Sequence, residues 1–397
     1  MSRFVLVAHG TRGDVDPFLA LAGVLHRRGH EVAVHTHAVF EKTARATGAR
    51  FRPIDNAAEY DRHLRRTATL IHPHPVGAVN AYYRDPERFL DRISVAGGFP
   101  QLRGEALALC AEGPGSVLIG RVTSALSALI AAEVLDSRVV QLSLSPFQSA
   151  TAPVTAMHLA RAAAGPVNRI RAELGLRPIS EWHRWLSRAD LTVGLWPAWF
   201  DRAGKPAPAG TMLTDFAPVE QASPGSASPS RTAAVLVTGG TGRMVHGDFY
   251  PAALAGLAAI GRPVVVVTRH PDLLPARLPV NVEHRTELNF GQVLPSVAAV
   301  VHHGGINTCA AALAAGTPQL ILAHGGDRPD NGARLERLGL ARCLTHPQWT
   351  ADRIHAEVEA LTARAPRGAP GPVAAATGIG ELADACAALC PTREVVA

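Results

Sequence analysis

A short apolar run, a turn and an amphipathic helix recur along this chain, and that rhythm restricts the possible folds more than any other feature. "RFVLVA" reads as a buried parallel strand. Phe18, Leu21, Ala22 and Leu25 then recur on one helical face, with Asp16 as the expected N-cap and Pro17 at the first helical position. Gly29 closes the helix and "EVAVHT" is the next strand. Such a βαβ unit implies a parallel sheet with a right-handed crossover. "SVLIG", "SALSALIAAEVL" and "RVVQLSLS" repeat the pattern as strand, helix and strand. Residues 55–105 interrupt it with polar and aromatic sequence, either a helical insertion that shapes a pocket or plain surface. Residues 218–231, "PVEQASPGSASPSR", have no periodicity and read as a linker. The rhythm then restarts with "AAVLVTGG", "FYPAALAGLAAIG", "PVVVVT", "VAAVVHHGG", "TCAAALAAG", "PQLILAHGG" and "NGARLERLG". The chain therefore divides into two doubly wound, Rossmann-like α/β halves, 1–217 and 232–380, and a C-terminal helix within 381–397. Ligands in such sheets bind beyond the carboxyl ends of the strands, so two facing halves make one cleft with two sets of loops.

Composition narrows the class. The chain has 397 residues, 47% of them apolar and 18% charged, as in folded globular proteins. The net charge of +6 suits anionic small substrates, and the basic residues are nearly all Arg, with Lys only at 42 and 205. Aromatics are 5% and no basic run is interleaved with them, which argues against nucleic acid. The five cysteines are scattered; Cys386 and Cys390 are close but have no histidine at ligand spacing, so reduced core thiols are expected. No signal peptide is expected, because the apolar run in "MSRFVLVAHG" is too short, and no membrane span, because "SVLIGRVTSALSALIAAEVL" is broken by Arg121; a cytoplasmic location is expected.

Four loops hold groups capable of chemistry. In "VAHGTRGDVDP", Asp14 lies beside Arg12 after the first strand, as a solvated loop acid, a turn cap or a catalyst; His9 is the rival base. In "VVHHGGINTCAAALAAG", His302, His303, Gly304 and Gly305 form the turn, and Asn307 and Thr308 open a helix. A helix N-terminus offers free N–H groups to a phosphate. On physical grounds alone this is equally a phosphate cradle or a glycine turn with a satisfied histidine. "TGGTGRMVHG" brings Thr238, Thr241 and Arg243 to a strand end, where they can meet a diphosphate; it is neither a Walker loop nor GxGxxG. The loop from His324 to Asn331 holds Asp327 and Arg328.

"HHGGINT…AAGTPQLILAHGGDRPDNGARL" resembles the donor-binding signature of the inverting GT-B glycosyltransferases of family 1. "GTRGDVDPFLALA" is similar to the "GSRGDVEP" opening of the sterol and glycopeptide-antibiotic glucosyltransferases. "ELNFGQVLPSVAAVVHHGG" is similar to their segment before the signature, and "TGGTGRMVHGDFY" resembles the lipid rhamnosyltransferase branch. The resemblance implies a GT-B fold and makes Asp14 the general base that deprotonates the acceptor hydroxyl. It places the donor diphosphate on His303 and Thr308, with Gly304 and Gly305 permitting backbone contact and Thr241 adding a hydroxyl. Thr11 and Arg12 adjoin the diphosphate from the acceptor side, Asp327 holds sugar hydroxyls, and the base lies against 287–290 with Phe290. Two positions depart from the family pattern. Asn307 replaces a glycine, and Asn tolerates the turn. Arg328 replaces a glutamine, so either it contacts an altered donor sugar or it turns away to pair with Asp330.

The expected activity is transfer of a sugar from a UDP- or dTDP-sugar to a hydroxyl of a small hydrophobic natural product. A lipid- or sterol-type glycosyl- or rhamnosyltransferase is the alternative, followed by a nucleotide-sugar 2-epimerase and a non-catalytic GT-B partner protein. The family implies no metal or other cofactor, and the sequence has no DxD-like acidic pair in a plausible loop. A monomer or homodimer is expected.

Overall fold

A computed structural model describes residues 1–68, 99–121, 126–217, 234–363 and 378–390. The expected linker at 218–231 and much of the 55–105 segment lie outside these residues.

Two parallel sheets organise the chain, as the strand rhythm requires. The first contains β1 (Arg3–Val7), β2 (Glu31–Thr36), β3 (Arg50–Pro53), β4 (Ser116–Arg121), β5 (Val139–Ser143), β6 (Leu191–Gly194) and β7 (Met212–Leu213). Their order is β3-β2-β1-β4-β5-β6-β7. The second contains β8 (Val235–Thr238), β9 (Val264–Val267), β10 (Val282–Arg285), β11 (Ala299–His302), β12 (Gln319–Ala323) and β13 (Arg342–Thr345), in the order β10-β9-β8-β11-β12-β13. Each sheet reverses its strand order once, at β1/β4 and at β8/β11. These are the topological switch points at which ligands bind in doubly wound sheets. Val7 sits opposite Gly120, and Thr238 opposite His302, so the loops after all four strands start at matched heights.

The first helix corrects the sequence reading. It runs Arg12–Arg27 with Thr11 as N-cap, so its cap lies five residues before the expected Asp16, and Pro17 lies inside it. Asp14 explains the early start. Its carboxylate accepts the Thr11 N–H at 2.9 Å, as the third residue of a capping box does. Asp14 is thus in the first turn of a helix rather than in a loop.

Apolar clusters cover both faces of the first sheet. The C-terminal helix, Gly378–Ala388, starts before the expected 381 and completes the first domain rather than the second. Its Ile379, Leu382 and Cys386 join Leu21 and Leu25 of the first helix in one core, and Arg28 pairs with Asp384 at 2.9 Å. The chain also crosses in the other direction. Trp196, Phe200 and Phe216 pack with Ile306, Cys309 and Leu335 of the second half. Arg334, 1% exposed, donates to the carbonyls of Phe200, Asp201 and Lys205 at 3.0, 2.6 and 2.7 Å. A buried guanidinium with these acceptors and Asp330 at 2.8 Å is well compensated, and it fixes the two halves to each other.

Candidate active site

The two switch points meet. Asn307, at the start of the helix Ile306–Ala314, donates from Nδ2 to the Gly13 carbonyl at 3.1 Å. Proline supplies no N–H, so Pro17 leaves the carbonyl four residues earlier, that of Gly13, without its helical donor. A side chain from the opposite domain takes that place. Close by, a Cβ on Gly242 would lie 2.7 Å from Thr11 Cγ2, so only glycine lets these loops approach.

On the first-domain side, Asp14 is the central group. One carboxylate oxygen accepts from the Thr11 N–H and, at 3.2 Å, from its hydroxyl; the other is paired with Arg121 at the end of β4. A carboxylate has about four acceptor positions, so these contacts leave room for an incoming hydroxyl. The Asp14 side chain is 26% exposed, against 2% for His9. His9 Nε2 is bonded to Glu105 at 2.7 Å, and Glu105 also accepts from Ser127. Burial alone would raise the Glu105 carboxyl, but His9 and Ser127 outweigh it and hold it below its ordinary value. His9 is therefore a buried, paired histidine, and Asp14 is the more accessible of the two groups.

A second layer holds the Asp14 loop. His37 Nε2 accepts the Gly10 N–H at 2.8 Å, and its Nδ1 meets Asp55 at 2.7 Å. Asp55 thereby keeps the proton on Nδ1 and leaves Nε2 as the acceptor. Burial lowers the His37 pKa and so favours this neutral form. Tyr60 donates to the Gly10 carbonyl at 3.3 Å. None of Arg121, His37, Asp55, Tyr60 or Glu105 stands out in the sequence as a site residue. The one available signal is Arg121, a charge at the carboxyl end of an otherwise apolar strand.

On the second-domain side the groups are cationic or donors. Gly304 has φ +90°, and a Cβ there would lie 2.8 Å from Ile321 Cγ2, so the turn needs glycine. It leads into the helix that Gly305 caps, with Thr308 buried in its first turn. His303 is bonded to the Thr238 backbone, and its Nδ1 has no partner. Burial, with Arg328 and His302 nearby, holds its pKa well below the ordinary histidine value. Arg328 is 7% exposed, and Nη1 donates to the His324 carbonyl at 3.2 Å. Among the described residues no carboxylate lies within ion-pair distance of it; Asp330, its expected partner, pairs with Arg334 instead. Burial brings the Arg328 pKa down to about 10 against the pull of Asp327 and Asp14.

The remaining expected donor residues are more spread out. Asp327 caps the helix Arg328–Arg337 and accepts from Asn331 Nδ2 at 3.1 Å. Arg243 makes a two-pronged pair with Asp272 at 2.7 and 2.8 Å, so it is already engaged. Arg12 bonds Asp16 at 3.0 Å along its own helix. Thr241 borders the cleft loop and its carbonyl faces His270 at 3.3 Å. Phe290 opens a short helix, Phe290–Val293, and packs against the cluster of Leu236, Leu294 and Val297.

Comparison with known proteins finds a separate family match in each half of the chain. The glycosyltransferase family 28 N-terminal domain matches residues 4–99, and the erythromycin biosynthesis protein CIII-like C-terminal domain matches 252–389. The erythronolide mycarosyltransferase of Saccharopolyspora erythraea is 32% identical over 128 residues, 32% of this chain and 30% of its own. The solved glycotransferase of kitacinnamycin superposes with TM-score 0.69 at 21% identity, covering 98% of this chain and 99% of its own. The glycosyltransferase VinC, solved in complex with dTDP, gives TM-score 0.60 at 21% identity over 98% and 96% of the two chains.

Proposed function

The chain belongs to the GT-B glycosyltransferases, and on that premise we propose that it inverts an anomeric centre while moving a sugar from a dTDP- or UDP-sugar to a hydroxyl of a small natural product. One observation carries the reading: the Asn307–Gly13 bond joins the helix start that holds the accessible carboxylate Asp14 to the helix that follows the glycine turn, and the buried Arg328 lies beside Gly304 of that turn. Asp14 takes the acceptor's hydroxyl proton as that oxygen bonds to the anomeric carbon. The bond from the anomeric carbon to the diphosphate oxygen breaks on the opposite face, and the diphosphate leaves as an anion. The helix that starts at Ile306, His303 and Arg328 receive that charge. These groups act in place of a metal, so transfer proceeds without one.

The relative that acts on erythronolide supports a hydrophobic macrocyclic or polyketide-like acceptor, and the dTDP complex of VinC favours dTDP over UDP. Arg328 makes the donor specific. Its guanidinium only donates and carries fixed charge, so it favours a donor that brings an anion or acceptor oxygens next to Asp327. The test follows release of dTDP or UDP from a panel of donors with one polyketide aglycone, in the wild type and in Arg328→Gln. A changed donor ranking supports the assignment. An unchanged ranking of kcat/KM removes Arg328 from sugar recognition. No diphosphate release with any donor and acceptor would leave the non-catalytic reading.

A further inference from the structure

We propose that His246, Asp248 and His346 form a binding site for one divalent cation of the zinc, cobalt or nickel type. None of the three takes part in the transfer described above. His246 lies in the loop after β8, Asp248 immediately precedes the helix Phe249–Leu257, and His346 directly follows β13. The fold therefore gathers them at the carboxyl edge of the second sheet although they are far apart in the chain.

The geometry favours a metal over a chance cluster. Asp248 Oδ2 lies 3.0 Å from His346 Nε2 and 3.6 Å from His246 Nδ1, and all three ligand atoms fall within 4.8 Å of one another. Zinc ligands sit at about 2.0–2.2 Å in a tetrahedral arrangement, which separates ligand atoms by roughly 3.3–3.5 Å. These two distances, 3.0 and 3.6 Å, bracket that spacing. The hydrogen bonding points the same way. His246 Nδ1 accepts the Asp248 N–H at 3.1 Å, so Nδ1 presents a lone pair and not a proton. The Asp248 carboxylate lies 3.6 Å from the same Nδ1, so a cation that replaces the N–H on that lone pair reaches both groups. His346 completes the set as its Nδ1–H tautomer: Nε2 gives its proton to solvent, Nδ1 takes one up, and the Nε2 lone pair is free for the cation. The cation displaces one local backbone hydrogen bond at His246. Two imidazoles and a carboxylate suit zinc and its neighbours, whereas Mg²⁺ and Ca²⁺ prefer all-oxygen ligands. Trp349 packs edge-on to His346 at 5.1 Å, and His324 to His246 at 4.6 Å, so the imidazoles are held on their apolar faces.

The site does not depend on the transferase reading. Zinc binding is measured by calorimetry on the full chain freed of any purification tag, and Co²⁺ replaces zinc to report coordination by its visible spectrum. His346→Ala and Asp248→Asn are the variants, since both side chains are partly exposed and their loss leaves the core intact. The expected result is one cation per chain, a tetrahedral cobalt spectrum, and affinity weakened more than about 10-fold in each variant, as disturbing even an outer partner of a metal costs about 10- to 100-fold. Zinc should also raise the wild-type Tm and leave that of the variants unchanged. No saturable binding, or binding that both variants retain, overturns the site. The same samples are assayed for sugar transfer in EDTA: transfer by a chain that binds no zinc overturns this site alone, and zinc binding by an inactive chain upholds it.

Discussion

The two halves of the cleft differ in how their charged groups are paired. Behind the first-domain loop the pairs are made inside the domain: Asp14 with Arg121 and Thr11, His37 with Asp55 and Gly10, His9 with Glu105. In the second domain Arg328 is buried without a carboxylate at ion-pair distance among the described residues, whereas a buried imidazole nitrogen without a partner occurs in both halves, at His9 Nδ1 and at His303 Nδ1. A buried charge is costly unless it is paired. The first half is therefore arranged to hold one carboxylate in place. In the proposed function the donor's diphosphate supplies the anion for the second half. A diphosphate is the anion that a helix N-terminus and a buried guanidinium accept together.

The largest expected effect comes from removing the base on the satisfied side. Asp14→Asn retains an acceptor oxygen for Thr11, so the helix start survives, and turnover should fall about 100- to 10,000-fold. His9→Ala, measured beside it by the same diphosphate-release assay, should cost less. The opposite order would transfer the role to His9.

Next comes the unsatisfied side. Arg328→Gln should weaken dTDP or UDP binding by roughly 10- to 100-fold, from a charge-assisted hydrogen bond of about 1.5–3 kcal/mol. Its thermal stability should hold or rise, because an unpaired buried cation is removed. Calorimetry and a melting curve on one sample decide this. A drop in Tm with unchanged affinity would make Arg328 structural, and the contrast between the halves would fail.

A smaller effect sharpens the contrast through pH. His303 is neutral in the free protein, since burial and Arg328 hold its pKa well below 6.5. A bound diphosphate raises that pKa, so binding takes up a proton. Affinity should therefore increase as pH falls from about 7 towards 5, by at most about tenfold per pH unit. The dependence should vanish in His303→Ala, while Thr308→Val lowers affinity without changing the slope. Calorimetry in buffers of different ionisation enthalpy counts the proton directly.

The smallest effect belongs to the bond that joins the halves. Asn307→Gly removes the donor to Gly13 and should cost about 0.5–1.5 kcal/mol. The expected readout is a raised KM for the donor with kcat nearly kept, together with a larger radius of gyration in solution scattering. An unchanged KM and radius would mean that Arg334 and the Trp196–Phe216 packing alone set the domain contact.

The division between legible and illegible features follows the range of the interactions. Strand runs such as "PVVVVT", the glycine stop at Gly29 and the turn before Ile306 depend on neighbours in sequence, and the fold has them where the sequence reading puts them. The first helix starts five residues earlier than its sequence suggests because two caps compete there, and the Thr11–Asp14 contact outweighs Asp16–Pro17. Arg121 reaches Asp14 from 107 residues away, and Asn307 reaches Gly13 from 294. No periodicity records such pairings. The C-terminal helix was recognisable as a helix, but its docking on Leu21 and Leu25 depends on the path of the whole chain. Arg334 looked like one more helical arginine, and only the fold shows that it carries the junction.

The most direct test of this division is a paired measurement on Asp14→Asn: the single-turnover rate of sugar transfer and the Kd for the nucleoside diphosphate. The cleft described here predicts a rate reduced at least about 100-fold with a Kd within about twofold of wild type. A rate near wild type, or a Kd that weakens in step with the rate, would contradict it.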